Sequence, residues 1–208
     1  MRGELFIISA PAGGGKTTIV NMLLKEIPNL ERVITCTTRK PREGEKDKVD
    51  YFFLSKDEFE EGIKNGKFLE YAKVHDNYYG TPKDEIEKLL NEGKDLILVI
   101  DVQGMKQIKE KMNIVSIFII PPSLDELVNR MRKRGETDEE IKKRLETAKK
   151  EIPNWKYYDY IVINDILEKA KEDIKSIIIS RRLKKDRFQI SKIKDQNLKE
   201  LMENGKNI

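Results

Sequence analysis

The sequence predicts an α/β protein: a parallel sheet with flanking helices and a small mixed α/β lobe inserted into it. Three observations support this fold class. Short apolar runs alternate with amphipathic helices, which is typical of a parallel sheet buried on both faces. A glycine-rich loop separates the first apolar run from the first helix, as at the opening of an α/β unit. Residues 34–82 contain shorter and more polar runs, as expected of a small sheet with one wet face.

The individual elements follow from the spacing of apolar residues. Buried strands are predicted at 5–8, 96–100, 115–120 and 160–163. Shorter strands are predicted in the inserted lobe at 33–37, 51–54 and 68–71. Helices are predicted at 17–27, 56–65, 83–91, 105–111, 124–134 and 139–152. Ser123 with Glu126, and Thr137 with Glu140, predict capping boxes at the starts of the last two helices.

Charge and composition exclude several classes of protein. The 208 residues include 41 Lys and Arg and 37 Asp and Glu, a formal net charge of +4. Nine basic and four acidic residues lie from Arg181 to the end, so 32 basic and 33 acidic residues precede it, and no nucleic-acid footprint over the fold is expected. The single cysteine, Cys36, excludes a disulfide scaffold, and the single histidine, His75, is expected to pack or to lie at the surface.

The expected compartment follows from what the sequence lacks. No apolar run approaches the roughly 20 residues needed to cross a bilayer. The first strand leaves no room for a signal peptide before it. We therefore expect a cytoplasmic protein with no membrane partner.

A phosphate-binding loop is predicted between the first strand and the first helix, where the sequence reads Ala10-Pro11-Ala12-Gly13-Gly14-Gly15-Lys16-Thr17-Thr18. Glycines let backbone N–H groups turn inward onto a polyphosphate such as ATP, and the helix N-terminus adds partial positive charge. Lys16 would reach the β- and γ-phosphates, and the Thr17 hydroxyl would bind Mg²⁺. The strict motif has Gly where Ala10 stands, so Ala10 must have a negative φ. The alternative is an ordinary glycine-rich turn.

Two further groups suit phosphate chemistry. Asp101 follows the predicted strand 96–100, where an acidic residue can meet Mg²⁺ through water beside the loop. Arg39 and Arg42 flank Pro41, which stiffens the turn. A fixed pair of guanidinium groups suits bidentate recognition of phosphate. Taken alone, each has an ordinary alternative, a solvated strand-end carboxylate and a solvated loop.

Five runs keep a specific order and spacing along the chain. They are Thr37-Thr38-Arg39-Lys40-Pro41-Arg42-Glu43-Gly44-Glu45, Asp50-Tyr51-Phe52-Phe53, Glu70-Tyr71-Ala72, Tyr78-Tyr79-Gly80-Thr81 and Ile100-Asp101-Val102-Gln103-Gly104. In this register the chain resembles the guanylate kinase family from about residue 4 to 182. The resemblance implies the reaction ATP + GMP → ADP + GDP with Mg²⁺, serving guanine nucleotide synthesis and recycling, with dGMP as a poorer acceptor.

The resemblance implies roles on the GMP side. Glu70 would accept hydrogen bonds from guanine N1–H and the 2-amino group, and Thr35 and Thr81 would add hydroxyl contacts where the family has serines. Adenine presents no matching donors, so a buried Glu70 would be left unpaired, a mismatch that can cost roughly 10⁴-fold in discrimination. Asp101 is implied to contact GMP as well as Mg²⁺. The GMP phosphate would be held by Arg39, Arg42, Tyr51 and Tyr79.

On the ATP side the resemblance implies a lid whose arginines close over the triphosphate. Arg134 and Arg144 would stabilise charge on the transferring phosphoryl group, and Arg130 would assist. Asn164 resembles part of the adenine-side loop. Val99 stands where relatives often have a second acidic residue, so a contact from that position is missing or shifted. The implied catalytic set is Lys16, Arg39, Asp101, Arg134 and Arg144.

The predicted division of the chain follows the same resemblance. It comprises a P-loop core at 1–33, 83–121 and 151–187, a GMP-binding lobe at 34–82, a lid at 122–150 and a basic C-terminal tail at 188–208. ATP and GMP are the expected partners of a monomer or homodimer.

Two other functions stay open. One is a catalytically inactive guanylate-kinase-like module that binds phosphorylated peptides; such modules typically lack the loop lysine that Lys16 supplies here. The other is a kinase for a different nucleoside monophosphate, against which Glu70 argues.

Overall fold

The computed structural model describes residues 2–74 and 76–204. His75, and residues 205–208 of the predicted tail, lie outside the described residues. The strands are β1 (Leu5–Ser9), β2 (Leu30–Arg32), β3 (Thr35–Thr37), β4 (Tyr51–Phe53), β5 (Phe68–Val74), β6 (Asn77–Pro82), β7 (Asp95–Val99), β8 (Val115–Ile120) and β9 (Tyr160–Ile163). The helices are α1 (Lys16–Glu26), α2 (Lys56–Lys64), α3 (Lys83–Asn91), α4 (Val102–Lys109), α5 (Leu124–Lys133), α6 (Asp138–Glu151), α7 (Leu167–Arg182) and α8 (Gln196–Asn204).

The larger sheet has five parallel strands in the order β2-β7-β1-β8-β9. Alternating residues of β1 supply both faces. Phe6 and Ile8 pack in one apolar layer with α1 and α7, and Leu5 and Ile7 pack in the other with α3 and α4. The apolar run at residues 5–8 of β1 follows from this double burial. The predicted fold class, a parallel sheet covered by helices, is confirmed.

The smaller sheet has four strands in the order β4-β3-β6-β5 and mixed directions. β3 runs parallel to β4 and antiparallel to β6, and β6 runs antiparallel to β5. One face packs on α2 through Cys36, Phe59 and Phe68. The other face carries polar side chains.

Helices α5 and α6 pack against each other through Leu127 and Ile141, and their apolar cluster contacts Ala12. Thr137 and Glu140 form the predicted capping box at the start of α6. The box predicted at Ser123 is incomplete: Ser123 accepts from the N–H of residue 126, but the Glu126 carboxylate pairs with an arginine one turn later.

Four elements differ from the prediction. The run 33–37 is not one strand, because Val33 still donates to the Ile97 carbonyl of the large sheet at 2.8 Å, and β3 begins only at Thr35. The preceding residues form the unpredicted edge strand β2. Strand β6 and helix α7 were not predicted either.

The start of the basic C-terminal region is paired with the core rather than solvated. Arg181 and Arg187 form ion pairs with Glu4, and Arg182 and Arg187 form ion pairs with Asp95. The Asp95 side chain is only 3% exposed. Within residues 2–74 and 76–204, no helix is long and apolar enough to span a bilayer.

Candidate active site

The carboxyl ends of the large sheet gather the loop residues that the sequence singled out. The glycine-rich loop follows β1, Asp101 follows β7, and Asn164 follows β9. Because β7 and β1 are neighbours and one strand separates β1 from β9, these segments meet at one edge. Ligands of parallel α/β sheets bind at this edge.

The loop between β1 and α1 depends on its glycines. Gly13 and Gly15 have φ values of 85° and 94°, a region that side chains rarely adopt. A Cβ on Gly15 would also overlap the side-chain amide of Asn164. Among the described residues, the non-glycine residues with positive φ are Asn29 and Lys48, so Ala10 fits the loop without that strain.

Asn164 connects the loop to helix α5. Its Nδ2 donates to the Gly14 carbonyl at 2.9 Å, and it is only 2% exposed. Its own carbonyl accepts from Nη2 of Arg130 at 2.8 Å, while Nε of Arg130 donates to Glu126 at 2.8 Å. Helix α5 is thereby linked to the phosphate loop through a single buried asparagine.

Lys16 is the first residue of α1, and its ammonium group donates to the carbonyl of Ala10. Burial lowers the pKa of Lys16, and Arg134 lowers it further, whereas Glu151 and Asp101 raise it. The lysine therefore lies in a partly desolvated position between carboxylates and the arginine that ends α5. Thr17 and Thr18 follow on the exposed side of the first turn.

The possible metal ligands at this edge are oxygen atoms. Asp101 caps α4, with Oδ1 accepting from the Gly104 N–H at 2.8 Å, and it is exposed, as is the Thr17 side chain. In the described part of the chain, no group of three or more His, Cys, Asp or Glu residues could enclose a metal ion. A hydroxyl and a carboxylate suit Mg²⁺, which typically keeps waters and substrate phosphates as its remaining ligands.

The polar face of the small sheet collects the predicted GMP-side residues. Cys36 and Gly80 face α2, where a Cβ on Gly80 would lie 2.8 Å from the Phe59 ring. Since neighbouring residues of a strand face opposite sides, the residues beside them face away from α2. In register, Thr35 pairs with Tyr51, and Glu70 pairs with Thr81. The polar residues on this face include Thr35, Thr37, Tyr51, Glu70, Tyr79 and Thr81.

Glu70 is a buried carboxylate at the edge of this face. It is 7% exposed, and Oε1 accepts from the Thr81 hydroxyl at 2.5 Å. Burial raises the pKa of Glu70, and Asp101 raises it too, whereas the Thr81 hydrogen bond and Lys111 lower it. A Cβ on Gly104 would lie 3.2 Å from Oε2, so this glycine of α4 leaves room for the carboxylate. The sequence analysis assigned Gly104 no role.

Arg39 is held by a residue that the sequence analysis also left unassigned. Its guanidinium group donates to both carboxylate oxygens of Glu45, at 2.8 and 2.9 Å, and lies 5.4 Å from the centre of the Tyr51 ring. These hydrogen bonds, and one from the Arg42 N–H, lower the pKa of Glu45 to about 2. The sequence did contain a signal for this ion pair, because Glu45 follows Arg39 by six residues in the same proline-stiffened turn.

The other predicted site residues lie at more exposed positions or farther from the buried Glu70 and the glycine-rich loop. Arg42 lies on the exposed part of the turn. The Tyr51 and Tyr79 rings meet edge to face, with centroids 6.4 Å apart. Arg134 ends α5 at an exposed position, and Nε of Arg144 lies 3.1 Å from Glu136.

Comparison with known proteins gives one consistent result. A family model described as guanylate kinase matches residues 2–181. The chain is 47% identical to a guanylate kinase of Clostridioides difficile over 200 residues, covering 94% of this chain and 98% of the relative. It is 48% identical to a guanylate kinase of Caldanaerobacter subterraneus subsp. tengcongensis, covering 89% and 91%. The crystal structure of guanylate kinase from Anaplasma phagocytophilum superposes with a TM-score of 0.74 at 34% identity, covering 98% and 95%.

Proposed function

The chain belongs to the guanylate kinase family, and from that premise we propose how its residues divide the work of the reaction. The protein is an ATP-dependent GMP kinase, which transfers the γ-phosphoryl group of ATP to GMP and releases ADP and GDP. The main support for this assignment of roles is the buried Glu70–Thr81 pair on the polar face of the small sheet. The pair lies close enough to Asp101 for the charge of that carboxylate to raise the pKa of Glu70.

Guanine is read by Glu70. Its carboxylate accepts from N1–H and the 2-amino group of the base, and the Thr81 hydroxyl keeps the carboxylate in one orientation. Thr35, on the same face, adds a hydroxyl contact. An adenine base would leave the buried carboxylate without donors, which disfavours AMP strongly.

The acceptor phosphate is held in line by the arginine turn and two tyrosines. Glu45 holds the guanidinium group of Arg39 in a fixed orientation beside Tyr51, which reduces the ordering that phosphate binding requires. Arg42 and Tyr79 complete the phosphate contacts. Asp101 stands between this side and the ATP side.

The ATP phosphates are bound by the glycine-rich loop and the start of α1. Inward-facing N–H groups and Lys16 neutralise the β- and γ-phosphates. Thr17 and, through water, Asp101 would hold Mg²⁺, which when bound neutralises charge on the phosphates. Arg134 and Arg144 stabilise charge on the transferring group, and Arg130 and Asn164 support them from the lid and the loop. No residue acts as a nucleophile, because positioning and positive charge suffice for this reaction.

We propose for the chain the same division that the sequence predicts. The P-loop core spans 1–33, 83–121 and 151–187, the GMP-binding lobe spans 34–82 and contains the small sheet, the lid spans 122–150, and the tail spans 188–208. The cytoplasmic location and the monomeric or homodimeric state stay predictions from the sequence. No finding supports an inactive binding module or a kinase for another nucleotide.

A coupled ADP-release assay with Mg-ATP tests this proposal. GMP, dGMP, AMP, CMP, UMP and dTMP serve as separate acceptors, with Lys16→Met and Glu70→Gln beside the wild type. Lys25→Met, an exposed lysine of the same helix, is the matched control. We expect turnover with GMP and slower turnover with dGMP, a loss of about 10³-fold in kcat for Lys16→Met, and a raised KM for GMP in Glu70→Gln. A folded protein that binds GMP but turns over no acceptor would establish the inactive module instead.

A further inference from the structure

A β-bulge in β5 determines which face of the small sheet Glu70 occupies. Phe68 and Glu70, two residues apart, pair with adjacent residues of β6, so Leu69 is the extra residue. In a regular strand, residues two apart share a face. Here Phe68 stacks on Phe59 of α2, with ring centroids 4.3 Å apart, whereas Glu70 joins Thr81 on the polar face. Without the bulge, the carboxylate would face α2.

The extra residue is anchored through both its side chain and its carbonyl group. The Leu69 side chain is 4% exposed and packs in the apolar layer under α3 and α4. Its carbonyl oxygen accepts a hydrogen bond from Nζ of Lys111. Lys111 is itself well placed, because its own N–H and that of Met112 both donate to the carbonyl of the buried Ile108, at 2.9 and 3.0 Å.

Helix α4 and the turn after it therefore act on Glu70 from two directions. In the first turn, Gly104 leaves the space that Oε2 of Glu70 occupies. In the turn after the helix, Lys111 holds the neighbouring carbonyl. The positive charge of Lys111 also lowers the pKa of Glu70, which opposes the effect of burial and of Asp101.

We propose that Lys111 is a positioning residue for guanine recognition, which holds the Leu69 carbonyl and so keeps the bulge that turns Glu70 toward the base. The inference rests on the proposed role of Glu70. Lys111 acts through Glu70 and makes no contact with the nucleotide.

The test compares Lys111→Met, which removes the donor and the charge but keeps the aliphatic stem, with Lys111→Arg, which keeps both. KM is measured for GMP, for IMP, which lacks the 2-amino group, and for ATP. In Lys111→Met we expect KM for GMP to rise about tenfold and the preference for GMP over IMP to fall, while kcat and KM for ATP change by less than about twofold. Lys111→Arg should retain most of the preference for GMP over IMP. Lys88 is an exposed lysine of α3, and Lys88→Met should leave every KM and kcat value unchanged.

A pH profile separates positioning from a merely structural role. Because Lys111 favours the ionised carboxylate, its loss should move the acid limb of KM for GMP to higher pH. A fall in melting temperature with an unmoved limb and an unchanged preference for GMP over IMP would overturn the inference.

Glu70→Gln, measured in parallel, separates this inference from the proposed function. If Glu70→Gln binds GMP normally, the role of Glu70 fails, and the inference fails with it. If Glu70→Gln raises KM for GMP while Lys111→Met does not, only the inference is overturned.

Discussion

Asn164 and Gly14, separated by 150 positions in the sequence, are joined by a hydrogen bond of 2.9 Å from the asparagine amide to the glycine carbonyl. The bond ties the end of the edge strand β9 to the phosphate loop. The Asn164 carbonyl also accepts a hydrogen bond from Arg130 of helix α5. The conformation of the loop is thus set partly by a residue that is far from it in the chain.

Asn164→Asp should weaken ATP binding more than GMP binding. The variant keeps the shape of the side chain, but a carboxylate cannot donate to Gly14, and it places negative charge beside the phosphate site. We expect KM for ATP to rise at least about tenfold, with KM for GMP little changed. Steady-state kinetics with each substrate varied in turn check this, with Asn21→Asp, exposed on α1, as the charge-matched control. Equal changes in both KM values would contradict a role specific to the loop.

As the pH is lowered, KM for GMP should begin to rise at a higher pH than it would if Glu70 had the pKa of an ordinary glutamate. In the proposed function the ionised Glu70 binds guanine, and burial raises the pKa of this carboxyl above its usual value. As the pH falls through that raised pKa, the carboxylate gains a proton and loses acceptor capacity, so GMP binding weakens. A pH series of KM for GMP, with KM for ATP as the internal reference, measures the limb. If KM for GMP and KM for ATP rise over the same pH range, the rise comes from a group other than Glu70.

Glu70→Gln should stabilise the free protein while impairing GMP binding. A raised pKa in the folded state means that folding disfavours the charged form, so wild-type Glu70 destabilises the fold at pH values above that pKa. The amide oxygen of glutamine can still accept from Thr81. We expect the free energy of unfolding at neutral pH to rise by about 1 kcal/mol. Urea denaturation at two pH values checks the sign, because the difference should vanish below the unfolded pKa of about 4.3.

Asp95→Asn should destabilise the core. Asp95 is 3% exposed and accepts from Arg182 at 2.7 Å, from Arg187 at 2.8 Å and from the Glu4 N–H at 2.8 Å. Removing one partner of a buried pair leaves uncompensated charge, so the free energy of unfolding should fall by about 3 kcal/mol.

Asp138→Asn is the control for this change. Asp138 is 90% exposed and pairs with Arg132 at 3.7 Å, so its loss should cost less than about 0.5 kcal/mol. Comparable losses in both variants, measured by chemical denaturation, would show that burial of the Asp95 pairs is not decisive.

The sequence predicted those elements whose own residues carry the signal. Largely apolar runs identified β8 and β9 at their observed bounds, and amphipathic spacing identified α3. β6 escaped because Gly80 and Pro82 disfavour a strand, and its pairing is supplied by β3 and β5. Helix α7 did carry a signal that was overlooked, since Ala170, Ile174 and Ile178 recur every four residues and are all buried.

The candidate site divides in the same way. The phosphate loop and Arg39 could be predicted because their residue types and local spacing are themselves typical of phosphate binding. Gly104 and Lys111 could not, because their importance lies in what they approach: Glu70 in one case and the Leu69 carbonyl in the other. Such roles arise only when β5 and α4 are brought together by the fold.

The pairing of Glu4 and Asp95 with arginines from the end of α7 and the turn after it bears on how the chain is made. Both carboxylates stand at the amino ends of neighbouring strands, and their cations, Arg181, Arg182 and Arg187, are translated last among these groups. While the ribosome is still adding the residues before them, the nascent sheet holds acidic groups with no counter-charge. The amino ends of these two strands therefore gain their counter-charges only after Arg187 has been added and the end of the chain has folded back onto the sheet.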